Sequence, residues 1–130
     1  MDFNDEKDYI MRIIKEAVRV FYSVLFGKQY TSVELPEENK YEVSGKTLEG
    51  FKDMVDKGLI NEAENMLLEH MDVAQKEEVF AAVLFYEYVS EKDEEFLKAH
   101  NYSREEALDG INMLAEKKGY GQISEIFKGM

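Results

Sequence analysis

An all-α fold is what this sequence predicts, and three observations predict it. Only one proline, Pro36, breaks the chain; the apolar residues recur at helical spacing; and helix-opening and helix-closing residues bracket each apolar run. At 130 residues the chain has the length of one domain with a real core. The expected organisation is a single helical domain over 1–130: an N-terminal helix at about 5–26, a connection over 28–44, and antiparallel helical hairpins over 45–130, about six to seven helices in all.

Asn4 is the expected N-cap of the first helix, with Asp5 and Glu6 opposing the positive end of its dipole and Gly27 ending it. Ile10, Ile13, Ile14, Ala17, Phe21, Val24 and Leu25 follow i, i+3, i+4 spacing and form its main apolar face. Val20 widens that face on one flank, while Met11, Val18 and Tyr22, with Phe26 further round, form a second stripe on the other. The apolar arc spans roughly 200°, more than one neighbour covers. Residues 28–44 lack periodicity, with room for a short helix after Pro36.

A helix over about 47–57 places Leu48, Phe51, Met54 and Val55 together, and Gly58 suits the position after its end. Asn61 and Glu64 have capping-box spacing at the start of the next helix, so a very short loop joins two antiparallel helices. Asp72 and Gln75 form another capping pair ahead of "EEVFAAVLFYEYVSEK". Val79, Phe80, Ala81, Ala82, Val83, Leu84, Phe85, Tyr86, Tyr88 and Val89 cover nearly every direction of that helix, which puts it at the centre of the fold against the first helix. "DEEFLKAH" reads as a short acidic helix, Ser103 and Glu106 as a capping box, Lys117, Lys118 and Gly119 as the end of the following helix, and "QISEIFKGM" as a last one.

Composition narrows the function. The chain has no Cys, which removes disulfides and thiolate chemistry, and its N-terminus does not read as an export leader, so a cytoplasmic protein is the expectation. "AVRVFYSVLF" covers about half the roughly 20 residues that a membrane-crossing helix needs. The net charge is −12, and residues 61–106, with 4 basic and 13 acidic side chains, hold −9 of it. That field repels phosphate backbones and anionic lipid, so neither nucleic acid nor membrane is an expected partner.

The stretch "KDYIMRIIKEAVRV", Lys7 to Val20, resembles the N-terminal helix of a small bacterial family of uncharacterised helical proteins. In that family an Asp-Tyr-Ile-Met/Leu-Arg-Met/Ile-Ile string opens a tetratricopeptide-like domain, and the resemblance implies a fold and no activity. Gly50-Phe51, Met54, Gly58, Ala63 and Leu67 occupy the expected positions of one tetratricopeptide hairpin, although Thr47 stands where Trp is typical and Gln75 where Pro is. A partial second unit at Ile111, Ala115 and Gly119 lies 61 residues on, not a multiple of the 34-residue repeat. A tetratricopeptide-like right-handed stack without regular repeats is therefore expected, and no peptide groove is carried over.

No catalytic, cofactor-binding or metal-ligating residues are assigned. His70 and His100 each end a helix, where the dipole favours them, and Leu67 and Leu97 occupy the positions where a di-iron bundle would carry Glu. The acidic groups Glu77-Glu78, Asp93-Glu94-Glu95 and Glu105-Glu106 are read as first helical turns. "NYS" at Asn101 matches a glycosylation sequon but reads as the turn before the Ser103 cap.

Two functional readings result. The leading one is a non-catalytic interaction module, binding a protein partner or a second copy of itself through the stripe Met11, Val18, Tyr22 and Phe26. The bland version has that stripe covered by the chain itself. The competing reading is a small-ligand binder or hydrolytic enzyme with a pocket around Phe85, Tyr86, Glu87 and Tyr88, in which Glu87 titrates above an ordinary carboxylate. Its bland version pairs Glu87 with a lysine at an exposed edge.

Overall fold

The computed structural model describes residues 3–27, 42–43, 46–69, 71 and 76–117. Among them are six α-helices: α1 (Phe3–Phe26), α2 (Leu48–Asp56), α3 (Ile60–Leu68), α4 (Lys76–Ser90), α5 (Glu94–Ala99) and α6 (Arg104–Lys117). The all-α expectation holds, with one addition. Two short strands, β1 (Glu42–Val43) and β2 (Lys46–Thr47), pair antiparallel just ahead of α2, and β1 lies against α4. The remainder of the long connection, the Asp72/Gln75 pair, His70 and the last expected helix lie outside the described residues.

Helix α4 is the axis of the molecule. Ten of its fifteen residues are buried, and α1, α6, α2 and β1 pack round it. A helix apolar on every side has no stable place except between neighbours. α1 contributes Ile13, Ile14, Ala17, Val18, Phe21, Tyr22 and Leu25 to this core, and α6 contributes Ala107, Ile111, Leu114 and Ala115. The first helix starts earlier than expected, at Phe3, so Asn4 lies within it and not at its cap. Its end is as read: the Gly27 N–H reaches Ser23 O at 2.9 Å.

The buried arc of α1 is shifted from the expected face. Val24, assigned to the core by spacing, is 39% exposed, whereas Val18 and Tyr22, assigned to the left-over stripe, are buried. The reason lies in α4. The Tyr22 and Phe26 rings stand 5.3 and 5.7 Å from Phe80 of that helix, and 5.0 Å from each other. The second flank is thus filled within the monomer, and the opposite flank is left outside.

Two helix ends share one design. At the end of α2, Gly58 adopts φ +86°, its N–H bonds Val55 O, and the Leu59 N–H bonds Met54 O. At the end of α5, Asn101 adopts φ +59°, its N–H bonds Lys98 O, and the Tyr102 N–H bonds Leu97 O. Both are Schellman closures, in which one left-handed residue lets the last carbonyls find donors. The two ends also meet. A Cβ on Gly58 would overlap the His100 ring, whose Nδ1 lies 2.8 Å from Phe96 O.

Asn61 does not cap α3, which begins at Ile60 after Leu59 with no side-chain cap. Its amide instead donates to the carbonyls of His100 and Asn101, at 3.4 and 3.5 Å, and ties α3 to the end of α5. The Ser103 cap is present as expected, its hydroxyl accepting from the Glu106 N–H at 3.2 Å. Thr47 similarly caps α2, accepting from the Gly50 N–H.

Candidate functional site

Three polar assemblies are set against α4. The first joins two buried phenols to a half-buried carboxylate. Tyr86 on α4 and Tyr102 in the α5–α6 turn both donate to the same carboxylate oxygen, Glu64 Oε2 on α3, at 2.8 and 3.3 Å. Burial, then the neighbouring Glu64 charge, pushes both phenols well above the ordinary tyrosine range. α6 presses on this group where its residue is Gly110, because a Cβ there would lie within the Tyr86 ring. Glu64 therefore joins three parts of the fold and is no capping residue.

The second assembly lies on the other side of α4. Glu87, with its side chain 19% exposed, has Lys15 of α1 at 3.5 Å, and Lys15 donates to Glu91 at 3.1 Å. Burial pushes the Glu87 carboxyl above its ordinary value, against the attraction of Lys15 and Lys52. For Lys15, partial burial opposes the charge but Glu91 and Glu87 outweigh it, so the ammonium is held above its usual range. Beside this pair, Tyr88 donates to Asp56 of α2 at 2.6 Å, and Lys92 bonds the same carboxylate oxygen. Those two donors, Lys92 first, hold Asp56 below the ordinary carboxylate range. The Lys52 and Lys92 ammoniums stand 5.2 and 4.9 Å from the centre of the Tyr88 ring, in cation–π contact.

The third assembly closes the end of α4. Arg104, buried at the first position of α6, donates from Nε to Ser90 O at 2.9 Å and from Nη2 to Lys92 O at 2.6 Å. The last carbonyl of α4, and that of Lys92 two residues beyond it, thereby receive a charged donor at the negative end of the dipole.

The four residues of the expected pocket do not converge. Phe85 and Tyr86 are fully buried, Tyr86 turns toward Glu64, Glu87 toward Lys15 and Tyr88 toward Asp56. Consecutive residues of a helix diverge by about 100°, which is the physical reason. Of the expected interface, Val18 and Tyr22 are core residues, and Met11 and Phe26 are half-buried. No group of three or more His, Asp or Glu side chains among the described residues is placed to hold a metal ion. No helix among the described residues is long and apolar enough to cross a membrane.

Glu64, Tyr102, Gly110 and Arg104 were not singled out by sequence as structural centres. Only Gly110 carried a local signal, as a glycine inside a helical run with no turn to explain it.

A family model described as a family of unknown function (DUF6483) matches residues 4–119. The chain belongs to that family. It covers α1 to α6 and all three assemblies round α4. No curated protein and no solved structure matches the chain.

Proposed function

We propose that this member of the family is a non-catalytic helical interaction module of the cytoplasm, with its hairpins stacked in a tetratricopeptide-like manner and its work done by association with a protein. One observation carries the reading. α1 buries one side in the core yet keeps Tyr9 and Val24 exposed at 47% and 39% on its other side, in a chain of net charge −12. Apolar side chains that share one helix face and are rimmed by charged ones match the apolar centre and polar rim of a contact face. The engaged state of the enclosed carboxylates adds support: Glu64 is occupied by two phenols and Glu87 by Lys15.

Sedimentation velocity of the chain at its native level in cell extract tests this reading. A species well above the 15.2 kDa monomer is the expected result, and a monomer throughout overturns it.

The raised Glu87 carboxyl favours a second reading, a small-ligand binder or a hydrolytic enzyme at the α1–α4 edge. NMR titration of Glu87 with and without Lys15→Met decides its worth. A midpoint that Lys15 fails to influence would speak for a ligand-ready acid; a midpoint that rises when Lys15 is removed assigns the site to the ion pair.

A further inference from the structure

We propose that the exposed flank of α1 is the contact through which two copies of this chain pair, antiparallel and two-fold, helix against helix. The inference rests on the interaction-module reading and names its partner.

The outward residues of α1 divide into two rows. Tyr9, Val20 and Val24 make an apolar row, with Tyr9 and Val24 well exposed and Val20 half-buried. Arg12, Glu16 and Arg19 run beside it, all at the surface. On this flank Arg12 and Arg19 stand against Glu16, a net charge of +1, and α1 as a whole is balanced at four basic and four acidic side chains, whereas the whole chain is −12. Two strongly acidic molecules repel each other at most approaches, and they meet at lowest cost through a face whose own charge is positive.

The spacing of the two rows is self-complementary. Let the two-fold axis pass between Glu16 and Ala17. Tyr9 then stands level with Val24 of the second copy, and Val20 with the second copy's Ile13, whose side chain is already mostly buried. Each Arg19 comes within two residues of the second copy's Glu16, about 3 Å along the axis. The Glu16–Arg19 pair at 3.3 Å within each helix extends into a four-membered network across the contact. An isologous contact needs such matching, because each residue pair occurs twice. A contact of one helix against one helix lies at the small end of specific interfaces, so a concentration-dependent dimer follows and not a permanent one.

The test is analytical ultracentrifugation of the full purified chain over a concentration series. Wild type is expected to pass from monomer to dimer, and Val24→Lys, at an exposed position, to weaken the dimer roughly ten-fold or more. Charge reversal supplies the readout that a folding defect cannot imitate. Glu16→Arg alone and Arg19→Glu alone are each expected to be monomeric, and their equimolar mixture to dimerise, because the only complementary pairing is then between unlike chains. A wild-type chain that stays monomeric, a dimer indifferent to Val24→Lys, or a mixture that fails to restore pairing would each overturn the proposal. If the native-level species is heavy while the purified chain is monomeric, association with another protein stands and self-pairing through α1 falls.

Discussion

Glu64 of α3 and Glu87 of α4 are both carboxylates with a partner on another element, and the fold satisfies them by opposite means. Glu64, itself half-buried, takes two neutral phenol donors from different parts of the chain, and both donors are buried. Glu87 takes one ammonium from a lysine whose side chain is half in solvent. A neutral donor enters the interior at modest cost and becomes expensive when its acceptor is removed. An exposed ammonium loses little when its partner goes, because water replaces the partner. Equal residue types on neighbouring faces therefore differ widely in what they contribute.

The sharpest break of that contrast is Glu64→Leu. It leaves the Tyr86 and Tyr102 hydroxyls without their acceptor, and a loss of about 2–4 kcal/mol in urea unfolding is expected, at roughly 1–3 kcal/mol per orphaned buried group. Next comes Gly110→Ala, in which the new methyl meets the Tyr86 ring. Overpacking of this kind costs about 1–3 kcal/mol, and Tyr86 should shift away from Glu64, visible in its NMR ring signals. Tyr86→Phe removes a donor while Tyr102 still serves Glu64, so about 1 kcal/mol is expected.

Alkaline titration sharpens the same side. The folded phenols of Tyr86 and Tyr102 lie above their unfolded values, so their contribution is full below about pH 10 and is lost as pH rises beyond it. Tyrosinate absorbance from these two should therefore appear together with unfolding and not before.

Glu87→Gln is the smallest change. Stability should move by less than about 1 kcal/mol at neutral pH, because Lys15, half in solvent, is rehydrated when its partner loses its charge. Its pH dependence has a definite sign. The folded carboxyl is raised, so the folded state binds its proton more tightly than the unfolded one, and the contribution of Glu87 to stability rises as pH falls through the folded value. Relative to Glu87→Gln, wild type should gain stability on acidification from neutral pH. Asp56 has the opposite sign, being lowered by Lys92 and Tyr88: its contribution is present above the unfolded value and is lost as pH falls through the folded one.

Much of the fold was legible because it is written locally. The all-round apolar surface of α4, the turn at Gly58, the Ser103 cap and the end of α1 at Gly27 each follow from residues within a few positions. Asn61 and Glu64 were misread for the converse reason. Their spacing fits a capping box, but the same polar groups can equally reach across the fold, to the carbonyls just past α5 and to two phenols, and only packing decides. The flank of α1 was misassigned likewise. Periodicity states how wide an apolar arc is, whereas Phe80 decides that Tyr22 and Phe26 go inward and Val24 stays outside. Arg104 was hidden inside its own capping box, since its partners are carbonyls, which no side-chain pattern records.

The central place of α4 has a consequence for synthesis of the chain. α1 is complete at Phe26, but the helix that covers it is complete only at Ser90. At about 5–20 residues per second on the ribosome, the apolar arc of α1 waits roughly 3–13 s for its neighbour. For that interval the nascent chain is an amphipathic helix in search of a cover, and Lys15 cannot yet meet Glu87 and Glu91. Of the six described helices α1 is thus the one that stays longest without its main neighbour during synthesis.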